Sequence, residues 1–397
     1  MCFSRVRGGP RSLLLGIRGA LALTPPPVVG CSGEKPRFSE FGERFTGDSG
    51  INRLMDDLAD ATRPGAPPVL MMGGGNPAQI PEVKEAIRSA MLEMLEDEEG
   101  SAPGSAPLLH AVSNYDGPPG GSALVHAVVE HFSAKFGWDI TAENVALTNG
   151  SQSSFFYLFN ALAGPCGEAG RKVLFPLCPE YLGYAEVGLS DGMFTSVRPR
   201  IDVDEEAGLF KYSIDFERLE AEVDWDQIGM VCASRPTNPT GNVLTDGEVE
   251  TLDALAKEKG VPLLIDNAYG TPFPSIIHVD ATPVWNENII LCLSLSKLGL
   301  PGVRTGIVIA KPQLIKAIAT LNGILTLAPN SLGPVIGGKL LSEGTVERLS
   351  SEVVKPFYKA RSTVALRMLQ EELTTAFGGE HKVLVHKPEG CIFLWVW

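Results

Sequence analysis

Short apolar runs recur through the middle of the chain, each too short for a helix. They are Val145-Ala-Leu147, 172–177, 228–233, 262–265, Ile289-Ile-Leu-Cys-Leu293 and 306–310, and they read as buried strands. Between them the apolar positions move to helical spacing, as in Leu124, Val125, Val128, Val129 and Phe132. The same shift predicts helices over 153–162, after Glu180, over 246–259 and from Lys311. Repeated strand–helix units imply a mostly parallel sheet with helices on both faces, and such sheets bind ligands at the carboxyl ends of their strands. Upstream, Phe38, Phe41 and Phe45, then Ile51, Leu54, Met55 and Leu58, predict an N-terminal arm of short helices over 34–70. Pro81 opens a further helix with Val83, Ile87, Met91 and Leu95 on one face. Downstream, 346–373 is one long helical pattern, interrupted or kinked at Pro356. Then 382–386 and Ile392-Phe-Leu-Trp-Val-Trp397 look like two strands of a second, smaller domain. The chain stops inside the last of these, so this C-terminal domain, 341–397, is expected to be incomplete.

Composition changes this picture little. With 397 residues, 44% hydrophobic and 20% charged, the chain is that of a globular protein large enough for two domains. Charge is unevenly spread. The first 33 residues hold Arg5, Arg7, Arg11 and Arg18 and no acid, leaving 29 basic against 47 acidic residues in the remainder, a net −18. An acidic body excludes nucleic acid as a default partner. The basic start, 1–33, has the composition of a transit peptide to a plastid or mitochondrion; a secretory signal and a disordered start are the competing readings, and without a transit peptide the chain would be cytoplasmic. Its apolar part, 13–23, is broken by Arg18 and too short to span a bilayer, so no membrane association is expected. Seven scattered cysteines, with no C-x-x-C and no H-E-x-x-H, predict reduced thiols and no metal site.

Polar clusters fall where the predicted strands end. Gly73-Gly-Gly-Asn76-Pro-Ala78 formally satisfies G-x-G-x-x-A, but Pro77 and a helix starting only at Pro81 argue instead for a turn lining a pocket floor. The stretch 100–107 is a polar connector. Gly150-Ser151-Gln152 joins a strand to a helix, which makes either an anion site or a plain N-cap from Ser151 or Ser153. Further candidates are Tyr115, Tyr181, Arg235 to Gly241 with Asn238, and Asp266 with Tyr269. Last comes Ser294-Leu-Ser296-Lys297, followed by Arg304. A lysine beside a phosphate-grade cradle of Ser294, Ser296 and Arg304 is the equipment for holding pyridoxal 5′-phosphate as a Schiff base. That cofactor also needs a carboxylate at its pyridine nitrogen, donors to its phenolic oxygen and an aromatic face; Asp266, Asn238 with Tyr269, and Tyr181 can supply them.

Asn238-Pro-Thr-Gly241, Asp266-x-x-Tyr269 and Ser294-x-Ser-Lys297-x₅-Gly302-x-Arg304-x-Gly306 together resemble the class I/II aminotransferases of pyridoxal phosphate fold type I. The likeness runs from about Phe38 to Trp397. It implies an aspartate-aminotransferase-like α/β fold, with a large cofactor-binding domain over 71–340 built on a mostly parallel seven-stranded sheet and a small α/β domain. It implies that Lys297 binds the cofactor's aldehyde and later shuttles a proton between Cα and C4′. By the same resemblance Asp266 keeps the pyridine nitrogen protonated, and Tyr269 and Asn238 bond O3′. Ser151, Gln152, Ser294, Ser296 and Arg304 hold the phosphate, Tyr181 stacks on the ring, and Gly74, Gly75, Asn76 and Asn238 line the substrate side. Tyr115 would reach the phosphate of a partner subunit in a homodimer. The implied reaction passes an amino group between valine, or another small or branched-chain amino acid, and pyruvate, giving alanine and a 2-oxo acid. Alternatives are a lyase or decarboxylase of the same fold type, or an inactive cofactor-binding protein. The family holds the substrate α-carboxylate with a small-domain arginine beyond the last strand, and no arginine follows Trp397.

Overall fold

A computed structural model describes residues 37–65, 67, 72–96, 105–167, 170–377 and 383–397. The expected transit segment and most of the connector before Pro107 lie outside the described residues, as do Met71 and Lys382. The chain divides into two compact units, Met1–Gly47 and Asp48–Trp397. In the first, the helix Glu40–Phe45 is capped by Ser39, whose hydroxyl accepts from the Gly42 amide at 3.2 Å. Phe41 and Phe45 lie one turn apart with ring centroids at 4.8 Å.

The second unit is built on a seven-stranded sheet. Its strands are β1 (Val145–Thr148), β2 (Lys172–Phe175), β3 (Phe194–Ser196), β6 (Ile228–Ser234), β7 (Leu263–Asp266), β8 (Ile289–Ser294) and β9 (Gly306–Ile309). β4 (Arg200–Asp204), β5 (Leu209–Ser213) and β10 (Val385–His386) form a separate three-stranded sheet. The large sheet runs β1-β9-β8-β7-β6-β2-β3, with only β9 antiparallel to its neighbours. Every residue of β6, β7 and β8 is buried, because helices cover both faces. Alternation along β8 divides the core in two. Leu291 and Leu293 pack with the helices Ser122–Phe136 and Asp246–Glu258; Ile290 and Cys292 pack with Ser151–Leu162 and Pro312–Thr326.

Four expected elements differ in detail. The helix after Glu180 is a single 3₁₀ turn, Leu182–Tyr184. Gly183 weakens any longer helix, and the Tyr184 ring is drawn inward against Phe155 and Phe159. The 346–373 pattern is Thr345–Leu349, a π turn at Ser350–Val354, and then Lys355–Ala376. Pro356 sits in the first turn of the last helix, where its missing N–H loosens the ladder behind it. Of the two expected C-terminal strands, 382–386 is reduced to the two-residue β10, and 392–397 forms only an isolated antiparallel bridge, Val385 to Val396, flanked by Leu384 and Trp397 amides that each donate to the other's carbonyl at 2.8 Å. β10 also lies parallel to β5, against a β4–β5 hairpin that the apolar pattern missed. All five β4 residues are exposed, so no alternation marks that strand. Among the described residues no helix is long and apolar enough to cross a membrane, and no group of three ligand-type side chains could hold a metal ion.

Candidate active site

Register places the chemistry on one edge of the large sheet. Ser234 pairs with Asp266 across β6 and β7, and Ser294 with Gly306 and Gly306 with Thr148 across β8, β9 and β1. β9 runs backward, so its start lies beside the carboxyl ends of its neighbours. Arg304 therefore reaches the same edge as Lys297 although it precedes a strand rather than following one.

Lys297 follows β8 on the 3₁₀ turn Ser296–Leu298. Its Nζ donates to the Gly75 carbonyl at 2.5 Å and stands 5.3 Å from the centroid of the Tyr269 ring. Burial pushes the amine's pKa down; the Arg304 charge adds to this, while Cys391 and Asp266 oppose it. Asp266, at the end of β7, is 7% exposed. Its Oδ1 accepts from the Ala268 amide at 3.0 Å and its Oδ2 from the Tyr184 hydroxyl at 2.5 Å. Burial raises its pKa, and those two donors and Lys297 hold it back. The Tyr269 hydroxyl is buried without a hydrogen-bond partner, beside the weakly bonding Cys391 thiol.

Arg304 meets the N-terminus of the helix Ser151–Leu162. Gly150 caps that helix at φ 87°, and neither Ser151 nor Ser153 makes a side-chain cap, so the plain N-cap expectation does not hold. A Cβ at Gly150 would collide with the Arg304 guanidinium, which therefore packs against the residue that opens the helix. Arg304 itself takes φ 46°, and its Nη1 donates to the Pro301 carbonyl at 3.1 Å and to Ser296 Oγ at 3.4 Å. Such strain in a non-glycine residue is held in place by its surroundings and clusters at functional sites. The buried Ser294 accepts from the Ser296 amide at 3.1 Å and so shapes the turn. Gln152 donates to the Gly183 carbonyl at 3.2 Å, which fixes the loop carrying Tyr181.

Tyr181 is half-buried, edge-on to Tyr184 at 5.3 Å, and feels both Asp266 and Arg304. Asn238 is half-buried in a loop closed by the Gly241 amide donating to the Thr237 carbonyl at 2.8 Å. Gly241, at φ 73°, lets the Gly390 carbonyl approach to where a Cβ would stand 2.7 Å away, and Cys391 follows directly. Gly74 and Gly75 are half-buried and Asn76 is exposed, on a turn pinned by the Ala78 amide donating to the Tyr358 hydroxyl at 2.7 Å. Tyr115 stands apart on the surface, 84% exposed. Arg235 faces inward: it donates to the Leu244 and Thr282 carbonyls at 2.8 Å each and pairs with Asp246.

The sequence motifs passed over Glu180, Tyr184, Ser234, Tyr358 and Cys391. Glu180 and Tyr184 flank Tyr181 in Cys178-Pro-Glu-Tyr-Leu-Gly-Tyr184, and an acid beside a proline in an otherwise apolar turn was the available signal. Tyr358 belongs to a long helical pattern in which a polar tip leaves no mark.

Residues 72–396 match the family model described as aminotransferase class I and II. The chain is 50% identical over 361 residues to the valine–pyruvate aminotransferase of Escherichia coli (strain K12), covering 91% of this chain and 82% of that one. A solved Psychrobacter arcticum 273-4 protein assigned as an amino-acid aminotransferase superposes with a TM-score of 0.85 at 44% identity, covering 91% of this chain and 83% of its own. The valine–pyruvate aminotransferase of Salmonella typhimurium LT2 gives 0.75 at 48% identity, covering 88% and 81%.

Proposed function

The chain belongs to the class I and II aminotransferases, and from that membership we propose that it passes an amino group between valine, or another small or branched-chain amino acid, and pyruvate. The family is pyridoxal phosphate-dependent, and the residues on the sheet edge fit that group. An orphaned buried hydroxyl on Tyr269 awaits an acceptor, Asp266 is a buried carboxyl facing a cation, and Arg304 with the Ser151–Leu162 amides suits a phosphate. When bound, the cofactor supplies an aldehyde that takes up the amino group and a ring that withdraws electrons.

The chain's own residues then have distinct work. Lys297, with its amine pKa lowered by burial, is a nucleophile and a proton carrier at the substrate Cα. Asp266 holds a proton on the ring nitrogen by ionic pairing, and Tyr269 with Asn238 donates to the phenolic oxygen. Arg304, Ser151, Gln152, Ser294 and Ser296 anchor the phosphate, and Tyr181 covers one ring face. Gly74, Gly75 and Asn76 line the substrate side. A homodimer in which exposed Tyr115 serves the partner's phosphate completes this reading; fold relatives of this kind are commonly dimeric.

The observation that carries the proposal is the desolvated Lys297 amine between the Gly75 carbonyl and the Tyr269 ring, on one edge with Asp266 and Arg304. Borohydride treatment of the purified protein should bleach its visible absorbance and leave the reduced cofactor on the peptide containing Lys297. K297A should show neither, and the wild type should convert valine and pyruvate to alanine. A label on another residue sinks the site assignment; release of CO₂ or ammonia in place of alanine sinks the transaminase reading.

A further inference from the structure

A chain of four hydrogen-bonded oxygens, half-buried at Glu180 and buried from Ser234 onward, ends at Asp266. Glu180 Oε2 meets Ser234 Oγ at 2.5 Å, Ser234 Oγ meets Tyr184 Oη at 3.0 Å, and Tyr184 Oη meets Asp266 Oδ2 at 2.5 Å. These are three contacts, and the two hydroxyls own only two protons. With both carboxyls ionised, one contact sets lone pair against lone pair in a buried site, which is costly. One further proton fills all three contacts in a single direction. We propose that this proton resides on Glu180, which donates to Ser234, which donates to Tyr184, which donates to Asp266, so that Glu180 is the positioning residue that keeps Asp266 an anion. This deepens the proposed function and rests on its reading of Asp266 as the partner of a protonated ring nitrogen.

The charges around the two ends choose the direction. Each carboxyl accepts a backbone amide at 3.0 Å, Ser234 N on Glu180 and Ala268 N on Asp266, and Glu180 has the Tyr181 amide besides. Around Asp266 stand Lys297, which favours the anion, with Tyr181, Tyr269, Cys232 and Cys292. Around Glu180 stand Asp266, Tyr184, Cys178 and Cys232, with the Tyr181 amide as a further donor, and no lysine or arginine contributes. Burial, with Asp266 adding to it and the Ser234 and Tyr181 donors opposing, pushes the Glu180 carboxyl up to about 8. Glutamine at this position keeps the donor and cannot ionise.

Infrared difference spectra of the purified full-length protein test the assignment. Wild type at pH 6 should show the C=O band of a buried carboxylic acid, shifted in D₂O and lost with a midpoint near pH 8. The band should vanish in E180Q and persist in D266N. Its absence from the wild type, its survival in E180Q, or its loss in D266N alone each overturns the proposal. Should E180Q not fold, the wild-type titration and D266N still decide. Thermal stability gives a second readout. A carboxyl raised above its ordinary 4.5 stabilises the fold at low pH, and that contribution fades as pH rises towards 8, so the wild-type melting temperature should fall between pH 6 and 9 more steeply than that of E180Q. A protein without visible cofactor absorbance would defeat the transaminase reading, whereas the infrared band would still report on Glu180.

Discussion

Tyr269 carries its hydroxyl, unpartnered, in a position only 4% exposed. A buried donor without an acceptor costs about 1–3 kcal/mol. Tyr269→Phe should therefore leave the cofactor-free protein as stable as wild type, or more stable, in urea unfolding, while cofactor affinity falls. A stability loss above about 1 kcal/mol would mean that the hydroxyl already has a partner in the free protein. The same physics separates residues that the sequence discloses from those it hides. Lys297, Asp266 and Arg304 stand out because a charge next to an apolar strand needs a reason, and their spacing supplies one. Glu180, Ser234 and Tyr184 act through one another across 54 and 50 residues of chain, and nothing local in the sequence records a hydrogen bond of that span.

At the scale of elements, one junction and one anchor carry most of the geometry. Gly150 takes φ 87° and ψ 158°, a region open to glycine, and makes room for Arg304. Gly150→Ala should cost about 1–3 kcal/mol in backbone strain and weaken phosphate retention as well, read by urea unfolding and by inorganic phosphate competing for the cofactor. An unchanged phosphate affinity would detach Arg304 from phosphate binding. Arg235 directly follows β6 with its guanidinium on Leu244, Thr282 and Asp246, tying the strand to the helix Asp246–Glu258. Arg235→Met leaves the two carbonyls without their donor, while the half-exposed Asp246 turns to water, and should destabilise the fold by about 1–3 kcal/mol, with KM for valine unaltered in whatever fraction stays folded. Strands with two covered faces announced themselves as apolar runs, whereas the three-residue β3 and the exposed β4 did not. Their places are set by pairing across the fold, and pairing leaves little trace in a three-residue or wholly exposed segment.

For the whole second unit, the C-terminal stretch is the part whose attachment depends on pH. His386 is fully buried between Phe210 and Tyr212, its Nδ1 against the Lys387 carbonyl at 2.7 Å and its Nε2 against Asn242 Oδ1 at 3.2 Å. His278, whose amide donates to the Glu389 carbonyl at 2.7 Å, has both ring nitrogens buried without partners. Burial brings both imidazoles down to about 4, with the Lys359 and Lys355 charges adding to the effect at His278; at His386 the Lys387 carbonyl opposes it and the Lys211 and Lys387 charges add to it. Between about 4 and 6.5 the unfolded chain binds protons that the folded one refuses, so stability rises with pH across that window and is lost as pH falls through it. For His386 the loss amounts to about 3 kcal/mol at most once pH reaches the lower end. The stretch 383–397 should open first, because both histidines hold it. Amide exchange at Val385 and Cys391, corrected for the slower intrinsic rate at low pH, should accelerate from pH 7 to pH 5 ahead of exchange in β7 and β8, and His386→Gln should flatten that dependence. Equal acceleration in all these strands would mean that acid unfolds the unit as one body, and would remove the C-terminal stretch as its weak point.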